Sequence, residues 1–259
     1  MALQFVRMFT DGIRRVFTRT GGILFVGLLA IQLLVQVSIN TAVVGLVPPA
    51  ARGELGDALG LTLPVSGTVG AALLAVGVVL GSVYFVVLSR ALARPIAELS
   101  TFPAALYTRR MGRATLSMLV GGAVVGICVT IGLAFFILPG VFLAACFLLF
   151  VFAVGVEGRG VVDALKRSWG LSRGNRLELA AVVILSGVVG TVTGVVGTVL
   201  DMAGTPVLAD LLSNTISTAL FVVLYGIMAS AYLQVRGGDS GGFDGSGTSR
   251  PTGNAVADR

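Results

Sequence analysis

Residues 135–175 read FFILPGVFLAACFLLFVFAVGVEGRGVVDALKRSWGLSRGN. Two apolar runs meet at Pro139-Gly140, the second closes on Glu157, and a segment holding Lys166, Arg167, Arg173 and Arg176 follows. Proline lacks the amide donor that a helix interior needs, and glycine bends without steric cost, so the pair predicts a hairpin turn between two helices. Apolar runs of this length, almost free of charge, are what a hydrocarbon layer selects. The basic segment has a different pattern: Val161, Val162, Leu165 and Trp169 fall on one side of a helix, with Asp163, Lys166, Arg167 and Arg173 on the other. A helix lying along the membrane surface is predicted there, with Trp169 at headgroup level.

Composition extends the same reading to the whole chain. Of 259 residues, 56% are hydrophobic and 12% charged, and mean hydropathy is +0.99; soluble proteins carry about a quarter charged residues. Crossing the hydrocarbon core takes about 20 apolar residues. Six segments suffice or nearly so: 22–47, 67–88, 117–138, 141–156, 179–200 and 212–235. The first is too long for a signal peptide and has no small-residue cleavage site, so it reads as a permanent span. The expected fold is all-α, an integral membrane six-helix bundle with interfacial amphipathic helices. Residues 236–259, rich in Gly, Ser, Thr and Asp, bury too little apolar surface to offset their ordering entropy and read as a disordered cytoplasmic tail.

Charge gives orientation. Most of the 18 Lys and Arg fall before span one, between spans two and three, or between spans four and five, whereas the alternate loops hold Arg52 among acidic residues. By the positive-inside rule both termini are cytoplasmic, and the plasma membrane is the expected location. The net charge of +6 therefore reads as a topology signal, and nucleic acid is not an expected partner. The three basic segments share a plan of amphipathic stretch, small-residue break and span, which also allows three repeated helix-plus-hairpin units.

Chemistry-bearing residues are sparse. The chain has no histidine, and its two cysteines, Cys128 and Cys146, lie inside apolar runs. The commonest metal ligand and the usual general base are thus missing, and no catalytic residue, cofactor or metal is expected. Three features remain. Gln32, Gln36 and Asn40, at i, i+4 and i+8, place amides on one helix face, as a polar path for a solute or as interhelical hydrogen bonding. Glu157 beside Arg159, Lys166 and Arg167 reads as a latch between a span and the surface helix, or as a span boundary. Lys166, Arg167 and Arg173 are candidate contacts for anionic lipid, worth about 1 kcal/mol each near a charged surface. Membrane lipid is the expected partner; a protein partner or a second copy of the chain stays open.

The block 138–175 resembles a broad group of multi-pass membrane proteins of bacteria and haloarchaea whose role is undefined. These are similar to the membrane domain preceding the catalytic domain of some glycerophosphoryl diester phosphodiesterases. The resemblance rests on the Leu138-Pro139-Gly140 turn, the acidic residue Glu157 closing an apolar helix, and Ala164, Leu165 and Ser168 in a helix ending near Gly174. It implies a membrane module. The soluble catalytic barrel with its acidic residues and histidines has no counterpart here, so the resemblance implies no catalysis. The leading expectation is a non-enzymatic module engaging lipid or a partner protein at the cytoplasmic face. The alternative is a transporter or permease-like protein whose path is lined by span one.

Overall fold

The computed structural model describes residues 5–241; of the tail expected at 236–259, residues 242–259 lie outside the described residues. The chain is an all-α bundle with no strand among the described residues. An amphipathic helix, α1 (Phe5–Val16), leads into α2 (Arg19–Leu46). Thr18 caps α2 by accepting from the Gly21 amide at 3.2 Å, which satisfies one of the donors that every helix start leaves open. A turn and the short α3 (Arg52–Ala58) lead to α4 (Gly67–Leu92), capped by Ser66. After the single turn of α5 (Ala105–Thr108) come α6 (Met111–Phe135), α7 (Ile137–Phe147), α8 (Phe150–Gly155), α9 (Val161–Ser172), α10 (Arg176–Met202) and α11 (Pro206–Gly241).

Among the described residues, six helices are long and apolar enough to cross a membrane, α7 and α8 together forming the fourth. Their apolar surface faces outward: only 17% of the most apolar window of α2 is buried, at a hydropathy of 2.3. Water would make that surface costly, whereas lipid solvates it, so the chain is a membrane protein. Inside, α2 packs on α4, α10 on α11, and α1 on α11. One buried cluster centres on Met8, Leu24, Leu92, Phe152, Ile227 and Tyr232, and a second on Val86, Met118, Phe150 and Val154.

Most helices outrun the expected apolar windows. Helix α2 starts at Arg19 instead of Gly22 and α6 at Met111 instead of Ser117, since long Arg stems let a helix continue into the polar interface. Helix α11 runs to Gly241, past the expected tail boundary at 235/236.

The Pro139-Gly140 hairpin turn requires correction. The chain turns at Phe136, which is extended (φ −159°, ψ 143°), and Pro139 and Gly140 lie in the first turn of α7. Proline fits there because the first amides of a helix have no acceptor within it. Gly140 serves packing: a Cβ on it would lie 2.7 Å from the Leu133 amide nitrogen, and one on Gly132 would lie 2.9 Å from the Gly140 Cα. The two glycines let α6 and α7 meet backbone to backbone. The fourth span accordingly begins at Ile137 and is interrupted at Leu148-Leu149.

The three basic segments are alike in order but unequal in length. The first holds α1 and the third α9, each of 12 residues, while the middle one has a three-residue 3-10 turn, Ile96–Glu98, and the four-residue α5 before α6 begins. All three gather at one end of the bundle. There Arg15 donates to the Leu92 and Arg94 carbonyls, Thr20 to that of Leu99, and Arg90 to that of Gly155.

Candidate functional site

At that arginine-rich end the chain leaves α8, turns through Gly158 in the left-handed region (φ 66°), and enters α9 after Gly160. The sequence of α9 buries Ala164, Ser168, Leu171 and Ser172 on one face, a spacing that keeps them on a single stripe. Ser168 fixes this stripe by donating to the Cys146 carbonyl at 2.8 Å. Trp169, expected at headgroup level, is half-buried. It packs against Phe142 and Phe147, with both ring centroids at 5.9 Å, and the Arg176 guanidinium lies 5.1 Å from its ring. Arg176 also covers Phe142 at 5.0 Å, and such cation–aromatic contacts fix the indole in place.

The outer face of this junction is a hollow of about 490 Å³ with an apolar floor of Phe147, Leu165 and Trp169 and with Lys166 and Arg173 in its lining. Lys166 and Arg173 are exposed. Two of the three expected lipid contacts therefore come together. Arg167, the third, is directed elsewhere: its Nε donates to Glu157 Oε1 at 3.3 Å.

Glu157 joins three parts of the chain. Its Oε2 accepts from Arg159, and its Oε1 accepts from Arg167 of α9 and from the Tyr232 hydroxyl of α11, the latter at 2.9 Å. The Tyr232 ring stacks on Phe152, centroids 5.2 Å apart. Burial pushes the Glu157 carboxyl upward, but hydrogen bonds from Arg159 and Tyr232 and the charge of Arg167 outweigh it and hold the group below its ordinary value.

The amide face of α2 is well partnered. Gln32 accepts from Thr218 of α11 at 3.2 Å, and Gln36 donates to Asn40 at 3.1 Å. Asn40 donates to the Leu59 and Leu61 carbonyls at 2.7 and 3.1 Å, tying the α3 segment onto the bundle. Gln32 and Gln36 also line a largely apolar cavity of about 680 Å³ between α2, α4 and α6. Gln36 lines in addition a hollow of about 360 Å³ with Thr193, Asp210, Ser213 and Asn214.

Sequence reasoning missed a second basic hollow at the arginine-rich end, between the close of α4 and the start of α6. The sequence signal for it is the recurrence of arginine at 90, 94, 109, 110 and 113.

A family model described as Domain of unknown function (DUF7847) matches residues 3–235, and the chain belongs to that family. No curated protein and no solved structure matches it significantly.

Proposed function

We propose that this member of the DUF7847 family is a non-enzymatic membrane module that engages anionic lipid at the arginine-rich end of its bundle. The observation that carries the reading is the α9 hollow, an apolar aromatic floor edged by Lys166 and Arg173. Acyl chain and glycerol suit such a floor, and a phosphate suits the two cations. On this reading the arginine-rich end faces the cytoplasm, where anionic lipid concentrates, and the membrane is the plasma membrane. Kinship with the membrane domain of glycerophosphoryl diester phosphodiesterases belongs to the same proposal and fits a surface that meets glycerophospholipid.

Native mass spectrometry of the detergent-purified protein tests it. The wild type is expected to retain anionic lipid, and Lys166→Gln/Arg173→Gln to lose it. Arg167→Gln, altering a residue turned toward Glu157, is expected to keep it. Lipid retained equally by the double variant would refute the reading.

A second reading, passage of a small solute, is favoured by Gln36 and Asn214, which border both an apolar and a polar hollow within the bundle. Gln36→Leu would then abolish uptake by reconstituted vesicles while leaving lipid retention unchanged. Uptake unaffected by that substitution removes this reading.

A further inference from the structure

The end of α4, the segment leading to α6 and the Gly155–Gly158 corner enclose a hollow of about 480 Å³ lined by Arg90, Arg94, Arg109, Arg110 and Arg113. Arg90 belongs to its wall: Nε donates to the Gly155 carbonyl at 2.8 Å and Nη1 to that of Leu106 at 3.1 Å. Arg94 is held by Glu98 and by Thr101. Among the described residues no carboxylate pairs with Arg109, Arg110 or Arg113. The one carboxylate in the lining is Glu157, which already accepts from Arg159, Arg167 and Tyr232. With Arg94 offset by Glu98, Arg109, Arg110 and Arg113 remain as exposed guanidinium groups along one hollow with no carboxylate pairing them among the described residues, an excess of positive charge that favours an anion there. Arg110 is, in addition, the one non-glycine residue with positive φ (47°) among the described residues, a conformation costing on the order of 1 kcal/mol.

We propose that this hollow binds a dianionic phosphate group, a phosphomonoester or diphosphate, with Arg109, Arg110 and Arg113 as the contacting cations and Arg90 as the fixed wall. Guanidinium forks match pairs of phosphate oxygens in bidentate fashion, and several of them select for more charge than a carboxylate carries. The volume exceeds a simple anion and accommodates a phosphorylated headgroup or a small phosphate compound from solution. The proposal stands apart from the α9 hollow, whose lining shares no residue with this one.

The test uses the full chain in nanodiscs of phosphatidylcholine, alone or with phosphatidate added, and measures binding of inorganic pyrophosphate by calorimetry and of phosphatidate by native mass spectrometry. Binding of either probe by the wild type, weakened about tenfold or more in Arg109→Gln/Arg113→Gln, supports the site. Pyrophosphate binding identifies a soluble ligand, phosphatidate binding alone a lipid headgroup. Arg109→Lys/Arg113→Lys, which keeps the charge and loses the forks, is expected to bind with intermediate strength and controls for folding. Lys166→Gln/Arg173→Gln is expected to leave pyrophosphate binding intact, which separates this site from the one on α9. Failure of the wild type to bind either probe, or equal binding by wild type and Arg109→Gln/Arg113→Gln, overturns the proposal.

Discussion

The Tyr232 hydroxyl donates to Glu157 Oε1 at 2.9 Å, joining residues 75 positions apart and tying the last helix to the corner between α8 and α9. A neutral donor facing an ionised acceptor is worth about 1.5 to 3 kcal/mol. Tyr232→Phe should therefore lower the thermal unfolding midpoint in detergent while keeping the stack on Phe152. Glu157→Gln should lower it further, since three donors lose their ionised acceptor. Unchanged midpoints for both variants would show that the corner is held by packing alone.

The same carboxylate predicts a pH dependence of definite sign. Its folded value lies below the ordinary one, so folding is stabilised wherever the unfolded chain would already be ionised, above about pH 4.3. That contribution is lost as pH falls through the lower, folded value. The stability difference between wild type and Glu157→Gln should stay level from neutral pH to about 5 and then shrink with further acidification. A difference that grows on acidification would contradict the assignment.

Arg15 is 7% exposed, and its Nη1 donates to the Leu92 and Arg94 carbonyls at the end of α4. Burial pulls the guanidinium below its usual value, with Asp11 acting in the opposite direction. It remains charged at neutral pH and suits the negative end of the helix. Arg15→Leu should cost about 2 to 3 kcal/mol and speed amide exchange around residues 90–95. Exchange confined to α1 would indicate that Arg15 supports only its own helix.

Glycines in the bundle should separate into two kinds. Gly140→Ala places a methyl against the α6 backbone and should loosen the hairpin, at a cost of about 1 to 3 kcal/mol. Gly122→Ala points into open space and should be neutral, or stabilising by up to about 1 kcal/mol. Similar effects at both positions would mean that α6 and α7 are not in close contact.

Glycines four apart in one helix do not all make tight crossings: a Cβ on Gly77 would lie 2.9 Å from Val35, but others stand open. Gly122, Gly126, Gly190 and Gly194 would each accept a Cβ without a contact inside 4 Å, whereas Gly45 against Gly67, and Gly132 against Gly140, close the real ones. Spacing within one helix says which face is small but not what lies opposite. The amide row of Gln32, Gln36 and Asn40 was legible from its period of four. Its partners, Thr218 and the Leu59 and Leu61 carbonyls, depend on chain segments far away or on a loop without a pattern. Six spans could be read because each apolar run answers to bilayer thickness alone. The recurrence of arginine from 90 to 113 is legible but the hollow is not, because these residues line one space only after the segment before α6 has folded back on α4.

The turn between α6 and α7 exposes Phe135, Phe136, Ile137 and Leu138, each at least 73% accessible, and its Phe136 and Gly140 amides bond within the turn to the Gly132 and Phe136 carbonyls. No hydrophilic loop has to be hauled across the bilayer to join these two spans. A tip this apolar favours acyl chains over water, so the pair is suited to enter the bilayer as one hairpin. A membrane-impermeant label or an external protease should find nothing to attack there.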